Sequence, residues 1–593
     1  MCGILGTNFL SENFNQALDL LESRGPDFSK ITQYEKKLFG HTRLAILDLD
    51  KTANQPMEYD NFILVFNGEI YNYLELQKEH NLTCKTKSDS EVLLRLYQKY
   101  GKDCLELLNG MFSFCIYNKQ TKEYFCARDR YGKKPFFYYY SKTYKKFIFA
   151  SSIKSILKIL NKKPEINKFA LGEYFSYFCS QNDNTFYQGI KKLEPSSYLY
   201  FKDDELIYKK YYKIKTKKTI FDETEALAQI KEKLINSIKL RLRSDADIGI
   251  LLSGGLDSSL LCSLQKKYFQ NELPLYSLGF ETHNKYDETS YASIVANHLK
   301  AKHKIIKMNK NNFIDTFSST LDAFEEPHCD SAGLGLNFLM KHVKQDKIKV
   351  LLSGEGSDEL FFGYDNYAKF YSYYLFAQSL DNKQKDFLKG FSQALQNNTK
   401  ESEYLRRIAN KEKLYHTFGE IYNYKQKRRL FLNVPKLQEL KEKKDFLDTM
   451  SYFDIQLWLN SLLTKVDRMS MANSIEVRCP YLDFNLVDLS FKIDSKLKMG
   501  DTNKYLIKKL SQSYLPQSII TRQKKGFNMP FNEWLFEEYS SEILDLILRV
   551  NKICGYFNEE YIRFIYSQAQ NNKFKQHLYS LYVFARWFEE FYL

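Results

Sequence analysis

No stretch of about 18 consecutive apolar residues occurs in this 593-residue chain, so no helix is expected to span a bilayer. The first residues lack a basic segment followed by an apolar one, so no secretory signal is expected. The ten cysteines are Cys2, Cys84, Cys104, Cys115, Cys126, Cys179, Cys262, Cys329, Cys479 and Cys554; none forms a CxxC pair or lies at zinc-ligand spacing from a histidine. Most read as small buried hydrophobes in a reducing cytoplasm. There is no internal repeat, and no low-complexity tract longer than the Lys/Tyr stretch near residue 210. The GxxxxGK[ST] phosphate loop is also missing, which sets aside the P-loop NTPases.

Hydrophobic residues make up 44% of the chain, with 45 Tyr and 46 Phe, enough for packed interiors in about two to four domains. The net charge is +15, but the lysines are spread throughout. The local clusters, Lys209–Lys218 and Lys425–Arg429, are short. A solvated surface explains them, and no nucleic-acid or membrane partner is expected. The competing reading, a binder of RNA or another anionic surface, needs one coherent basic face and salt-steep affinity.

The first 215 or so residues read as strand-rich: KLFGHTRLAILD, NFILVFNGEI, GMFSFCIYN, EYFCARDR, KPFFYYY and KFIFAS are short, partly alternating apolar runs. SDSEVLLRLYQKY reads as a helix opened by a Ser/Asp cap. The character changes after Lys218. One helical face carries Leu227, Ile230, Leu234, Ile238 and Leu242. Strands then alternate with helices through IGILL, PLYSLGF, KHKIIKM and IKVLL, which predicts a parallel sheet covered on both faces. A helical, charge-rich region follows from about residue 365, and Asp365–Lys443 carries no assigned chemistry. The division predicted is residues 2–215 and residues 222–593.

Two motifs carry chemistry. The chain opens MCGILG, and loss of Met1 would leave Cys2 with both a thiol and a free α-amine. A thiolate can attack a carboxamide, and an amine of near-neutral pKa can serve as its base. The second motif is SGGLDSS, Ser253–Ser259, between an apolar strand and a helix. Backbone N–H groups in such a turn suit an anion, with Gly254 and Gly255 allowing close approach and Ser253, Ser258 and Ser259 adding hydroxyls. Asp257 would repel a phosphate unless a divalent cation lay between them. The simpler alternative is a strand-to-helix turn with a capping Asp.

With MCGI at one end and SGGLDSS in the middle, the chain resembles the glutamine-dependent asparagine synthetases over nearly its whole length. The resemblance implies an α/β protein of two domains. The first would be a class II glutamine amidotransferase, an αββα sandwich of the N-terminal nucleophile hydrolase type. The second would be an ATP pyrophosphatase-type synthetase, a doubly wound parallel sheet with added helices. The family's motifs appear as RGPD (Arg24–Asp27), HTRLAILD (His41–Asp48), FNGEIYN (Phe66–Asn72) and Ser88-Asp89. They imply that Arg43 pairs with the α-carboxylate of glutamine, that Glu69 and Asp89 hold its α-ammonium, and that Asn67 and Gly68 form an oxyanion hole beside the nucleophile Cys2. A strand with an Asn-Gly turn and a surface ion pair are the plainer alternatives for FNGEIYN and Arg43. ARDRYGKKPFFYY, Ala127–Tyr139, matches a stretch read as structural.

In the second half the resemblance implies ATP and Mg²⁺. Asp257 and Asp358 would hold the metal, Ser253, Gly254, Gly255, Ser258, Ser353 and Gly354 the nucleotide, and Leu251 and Leu278 the adenine. Glu355 would sit at the acyl-adenylate, and Lys465 and Lys524 at pyrophosphate, with Lys525 a neighbour easily confused with Lys524. Arg468 is expected near phosphates, and Arg478 in the substrate wall. Two positions depart from the family pattern: Phe362 in FFGY, where FGGY is usual, and Ser152 in FASSIK, where FASEIK is usual. They leave room for a carboxylate other than aspartate, on a sugar acid, a peptide or a secondary metabolite. Small-molecule substrates and a homodimer are the partners expected.

Overall fold

The structure, a computed structural model, describes residues 2–282, 285–394, 400–435, 437–523, 526 and 529–593. It is a mixed α/β protein with two antiparallel sheets of six strands and one parallel sheet of five.

The apolar alternation of the first half builds two sheets that share an interior. The first runs Ile190–Lys192, Phe137–Ser141, Lys146–Ala150, Cys2–Thr7, Lys37–Arg43, Phe28–Tyr34. The second runs Glu205–Lys210, Ser197–Lys202, Glu123–Arg128, Gly110–Asn118, Phe62–Ile70, Met57–Tyr59. Side chains of a strand alternate between its faces. Hence Ile63, Val65, Cys115 and Tyr117 meet Ile4, Phe39, Phe147 and Phe149 between the sheets. Their neighbours Leu64, Phe66, Phe114 and Ile116 point the other way, onto the helix Asp89–Tyr100 with its buried Val92, Leu93 and Leu96. Ser88 caps that helix by accepting from the Ser90 N–H. On the outer face of the first sheet, Leu5, Ile148 and Ala150 pack against Phe14, Leu18, Ile153 and Ile156 of two further helices.

The second half holds the parallel sheet, in the order His303–Met308, Leu275–Phe280, Ile248–Leu251, Val350–Leu352, Glu476–Arg478. Ile250, Leu252 and Leu352 face one cluster, which contains Ile230, Leu234 and Ile238 of the helix Glu223–Arg241. Tyr276, Leu278 and Leu351 face another, with Phe313, Phe317 and Phe338. Both faces are therefore covered, as a parallel sheet requires. Of the predicted helical face, Ile230, Leu234 and Ile238 are fully buried, and Leu227 and Leu242 are partly so. The order reverses at Ile248–Leu251, so the loops after it and after Val350–Leu352 emerge side by side at the carboxyl edge, where open α/β sheets bind ligands.

The fifth strand, Glu476–Arg478, was not anticipated. Arg478 is wholly buried, yet its Nε donates to Glu476 Oε1 at 2.6 Å and its guanidinium donates to the carbonyls of Arg241 and Arg243 at 2.9 and 2.6 Å. Among the described residues no helix is long and apolar enough to cross a membrane.

Candidate active sites and family

Cys2 begins the strand Cys2–Thr7 and lies opposite Arg43 in the ladder. It is 8% exposed, and burial pushes its thiol up from the ordinary value. Its N–H points at Asn67 Oδ1 at 3.2 Å, and its carbonyl accepts from Arg24 Nε at 3.2 Å. Asn67 spends its amide N–H on Ser113 Oγ at 3.4 Å, so in this arrangement its oxygen, not its nitrogen, faces Cys2. Gly68 follows on the same strand; a Cβ there would lie 2.2 Å from the Met111 carbonyl oxygen, so only glycine fits.

Arg43 is buried and its guanidinium is ringed by neutral acceptors: Asn54 Oδ1 at 2.6 Å and the carbonyls of Asp50, Leu47 and Asp48. It is not a surface ion pair. Held so, its charge remains available to an incoming carboxylate. Glu69 and Asp89 are both buried. Burial, with Asp89 nearby, holds Glu69 well above the usual carboxylate range, and burial raises Asp89 to about 6 despite the Ile70 N–H at 2.8 Å. These two acids form a pocket that a cation would relieve. His41 is buried and its pKa is lowered to about 3 by desolvation, so it stays neutral.

At the carboxyl edge of the parallel sheet the two loops meet. Gly254 has φ +74°, which suits glycine, and its backbone packs on the helix Thr289–His298. Ser253 Oγ and Ser258 Oγ lie 3.0 Å apart, and Gly255 caps the 14-residue helix Leu256–Phe269 that carries Asp257 in its first turn. Gly354 faces this turn; a Cβ there would lie 3.1 Å from the Ser258 N. Leu251 and Leu278, from adjacent strands, share one apolar cluster.

Asp257 and Asp358 come together as predicted, and between them lies a lysine that was not foreseen. Lys504 Nζ touches Asp257 Oδ2 and lies 2.6 Å from Asp358 Oδ1. Gly363 makes this possible: a Cβ there would fall 1.9 Å from Asp358 Oδ1 and 2.2 Å from Lys504 Cε. The close approach therefore belongs to Gly363, while Phe362 is buried away from it, against Tyr367. Lys465 is buried and donates to Asp330 Oδ2 at 2.8 Å; burial opposes its charge, but Asp330 and then Glu355 hold its pKa above normal. Lys524 and Lys525 lie outside the described residues. Arg522 beside them donates to the Gly254 carbonyl at 2.7 Å.

Arg468 pairs with Glu325 at 3.0 Å and lies over the Phe137 ring. Arg478 reaches 3.5 Å from Glu69, at the back of the Cys2 site. The departure at Ser152 is also accounted for, since its hydroxyl donates to Glu325 at 2.5 Å in the contact between the two halves.

The halves are joined by buried charge. Asp467 accepts two hydrogen bonds from Arg24 and one from Lys134, and Asp483 accepts from Asn109 at 2.8 Å. One half thus holds a buried thiol backed by acids, and the other a lysine-bridged acid pair. Residues 1–212 match the glutamine amidotransferase domain and residues 229–589 match asparagine synthase. The chain belongs to the asparagine synthase family. Asparagine synthetase (glutamine-hydrolysing) 1 of Bacillus subtilis is 31% identical over 95% of this chain and 92% of its own. Asparagine synthetase (glutamine-hydrolysing) 3 of the same organism is 29% identical over 89% and 87%. Amidase chry2 of Gibberella zeae is 25% identical over 91% and 88%.

Proposed function

We propose that this chain converts L-aspartate, ATP, L-glutamine and water to L-asparagine, AMP, pyrophosphate and L-glutamate. The observation that carries the reading is the meeting of Asp257, Asp358 and Lys504 at the carboxyl edge of the parallel sheet, in the same chain as Cys2 beside Asn67 and Arg43.

In the first half, residues 2–215, an αββα sandwich of the N-terminal nucleophile hydrolase type, removal of Met1 frees the Cys2 amine. That amine takes the thiol proton, and the sulfur attacks the glutamine carboxamide. Arg43 holds the substrate's α-carboxylate; Glu69 and Asp89 hold its α-ammonium. Gly68 N–H and a rotated Asn67 amide receive the developing oxyanion, where one donor is worth about 3 kcal/mol. The tetrahedral adduct collapses to a thioester as its C–N bond breaks, and ammonia leaves with the proton the amine took up; water then cleaves the C–S bond, freeing glutamate and the thiol.

In the second half, residues 222–593, a doubly wound domain with added helices, the β-carboxylate of aspartate attacks the α-phosphorus of ATP. The bond from that phosphorus to the bridging oxygen breaks, pyrophosphate leaves, and β-aspartyl-AMP forms. Ammonia attacks the acyl carbon beside Glu355 and AMP departs. Ser253, Gly254, Gly255, Ser258, Ser353 and Gly354 hold phosphates, Leu251 and Leu278 flank adenine, and Lys504, Lys465 and Lys524 offset the charge on pyrophosphate. Among the described residues Asp257 Oδ1 is buried with no hydrogen-bond partner, which fits a divalent cation held by Asp257 and Asp358. Mg²⁺ there would neutralise phosphate charge. Ammonia passes through the cavity between the halves, lined by Lys133, Phe137, Lys192, Glu326, Leu463 and Thr464. The enzyme acts in the cytoplasm.

Glutamine-dependent pyrophosphate release, with aspartate set against a panel of uronic and amino acids, tests the reading, and the mass of the product identifies the acceptor. Release with another acid and none with aspartate would establish the second reading, an amidotransferase for a different carboxylate. The similarity to a protein named amidase chry2 favours that alternative.

A further inference from the structure

Behind the nucleotide cleft lies a buried lysine that the mechanism above does not use. Lys498, on the short helix Ser495–Met499, is fully buried. Among the described residues its ammonium makes no ion pair. It donates to the Leu360 carbonyl at 3.3 Å and lies over two ring faces, Phe362 at 4.6 Å and Phe491 at 5.2 Å. The nearby carboxylate of Asp448 is taken by Lys218 at 2.7 Å and by the Ser495 hydroxyl at 3.0 Å. Burial pushes the Lys498 pKa down to about 7, with Lys218 adding to the effect against Asp448, Asp445 and Asp494. A cation in such a place needs a reason, because desolvating it is costly unless something replaces water.

Phe362 gives one. It ends the helix Ser357–Phe361, which carries Asp358, and it does so with φ +54°, a conformation that a bulky side chain rarely adopts. Its ring is wholly buried. Its carbonyl accepts the Lys504 N–H at 3.3 Å, and the next residue, Gly363, returns its N–H to the Asp358 carbonyl at 2.9 Å. Lys504 is itself left-handed, with φ +56°. The backbone at 362–363 is thus the platform under both Asp358 and Lys504. Lys498 secures this platform from behind, by its charge on the Leu360 carbonyl of the Asp358 helix and on the face of the Phe362 ring.

We propose that Lys498 and Phe362 form a buried cation–ring pair that positions Lys504 and Asp358 for ATP cleavage. Both are positioning residues, and the proposal rests on the reading of this cleft as the site of adenylation. The side chain of Phe362, which breaks the family pattern in FFGY, then has a local role and needs no altered acceptor.

The test compares Lys498→Met, Phe362→Leu, their combination and Lys498→Arg in the full-length enzyme. It reads aspartate-dependent exchange of pyrophosphate into ATP, with glutaminase turnover and melting temperature measured alongside. The parent must show exchange with aspartate or with the acid that the product's mass identifies, and that acid is then used throughout; without exchange on either, the adenylation reading itself fails. Given exchange, each single variant is expected to lower its kcat about tenfold, with KM for ATP within about twofold and glutaminase turnover unchanged. The double variant should be no slower than the slower single one, and Lys498→Arg should recover most of the rate. If Lys498→Met does not fold, Phe362→Leu decides by the same measures. Parental exchange kcat in a folded variant, multiplicative losses in the double variant, or equal losses of exchange and glutaminase turnover would each overturn the proposal.

Discussion

Replacing Asp467 by alanine strands two cations inside the protein. Arg24 grips this carboxylate in a fork, at 2.9 and 3.3 Å, and Lys134 adds a contact at 3.2 Å. The exposures of Arg24, Lys134 and Asp467 are 4, 2 and 5%. Burial alone would raise the Asp467 carboxyl, but Arg24 and Lys134 outweigh it and hold its pKa well below the usual carboxylate range. Removing one member of a buried pair costs about 3–5 kcal/mol, because the partner is left uncompensated. At about 2–4 °C per kcal/mol for a domain of about 200 residues, the low end of that cost lowers the melting temperature by about 6–12 °C. A depressed native pKa means that the stabilisation is complete above the unfolded value near 4 and is lost as pH falls toward the native one. The deficit should therefore be constant from about pH 6 to about pH 9. Activity should fall as well. Arg24 also holds the Cys2 carbonyl, and displacement of a reacting group by about 1 Å can cost about a hundredfold. Calorimetric melts and glutamate release from glutamine measure the two effects. A variant melting within a degree of the parent, with parental glutamate release, would refute the view that Asp467 holds the halves together and steadies Cys2.

Further outcomes follow from the same contacts. Cys2→Ala is expected to abolish glutamine use yet leave ammonia-dependent amidation; a folded variant that loses both would defeat the two-site scheme. Asp257→Ala should stop aspartate-dependent pyrophosphate release while glutaminase turnover continues, and retained ATP cleavage would remove Asp257 from the site. Asp89→Asn should stabilise the substrate-free enzyme at pH 7 but not at about pH 3. The native carboxyl, raised by burial to about 6, resists the charge it must carry above that pH, and the penalty vanishes once both states are protonated. An equal gain in melting temperature at the two pH values would count against that cause. The same variant should raise KM for glutamine.

What could be read from the residues depended on where each one finds its partner. Phe62–Ile70 and Gly110–Asn118 were legible because a period of two, with both faces buried, leaves few other structures open to such runs. The strand Glu476–Arg478 was not, since two of its three residues are charged and their burial rests on each other and on Glu69, 407 positions before Glu476. The strand-to-helix turn was legible because its glycines, serines and aspartate act locally, within Ser253–Ser259. Lys504 was missed for the opposite reason. Its contacts are fixed by carboxylates in the first turns of two other helices, Asp257 being 247 residues away, and by a backbone contact with Phe362. The pairing of Arg468 was illegible on the same ground, its partner Glu325 lying far back in the chain. A local pattern can locate an anion-binding turn, but it cannot say which of 87 Lys and Arg side chains will find it. That choice is made by the lowest-cost pairing of charges the folded interior allows, and here it places Lys504 on the two carboxylates that the turn and its neighbour bring together.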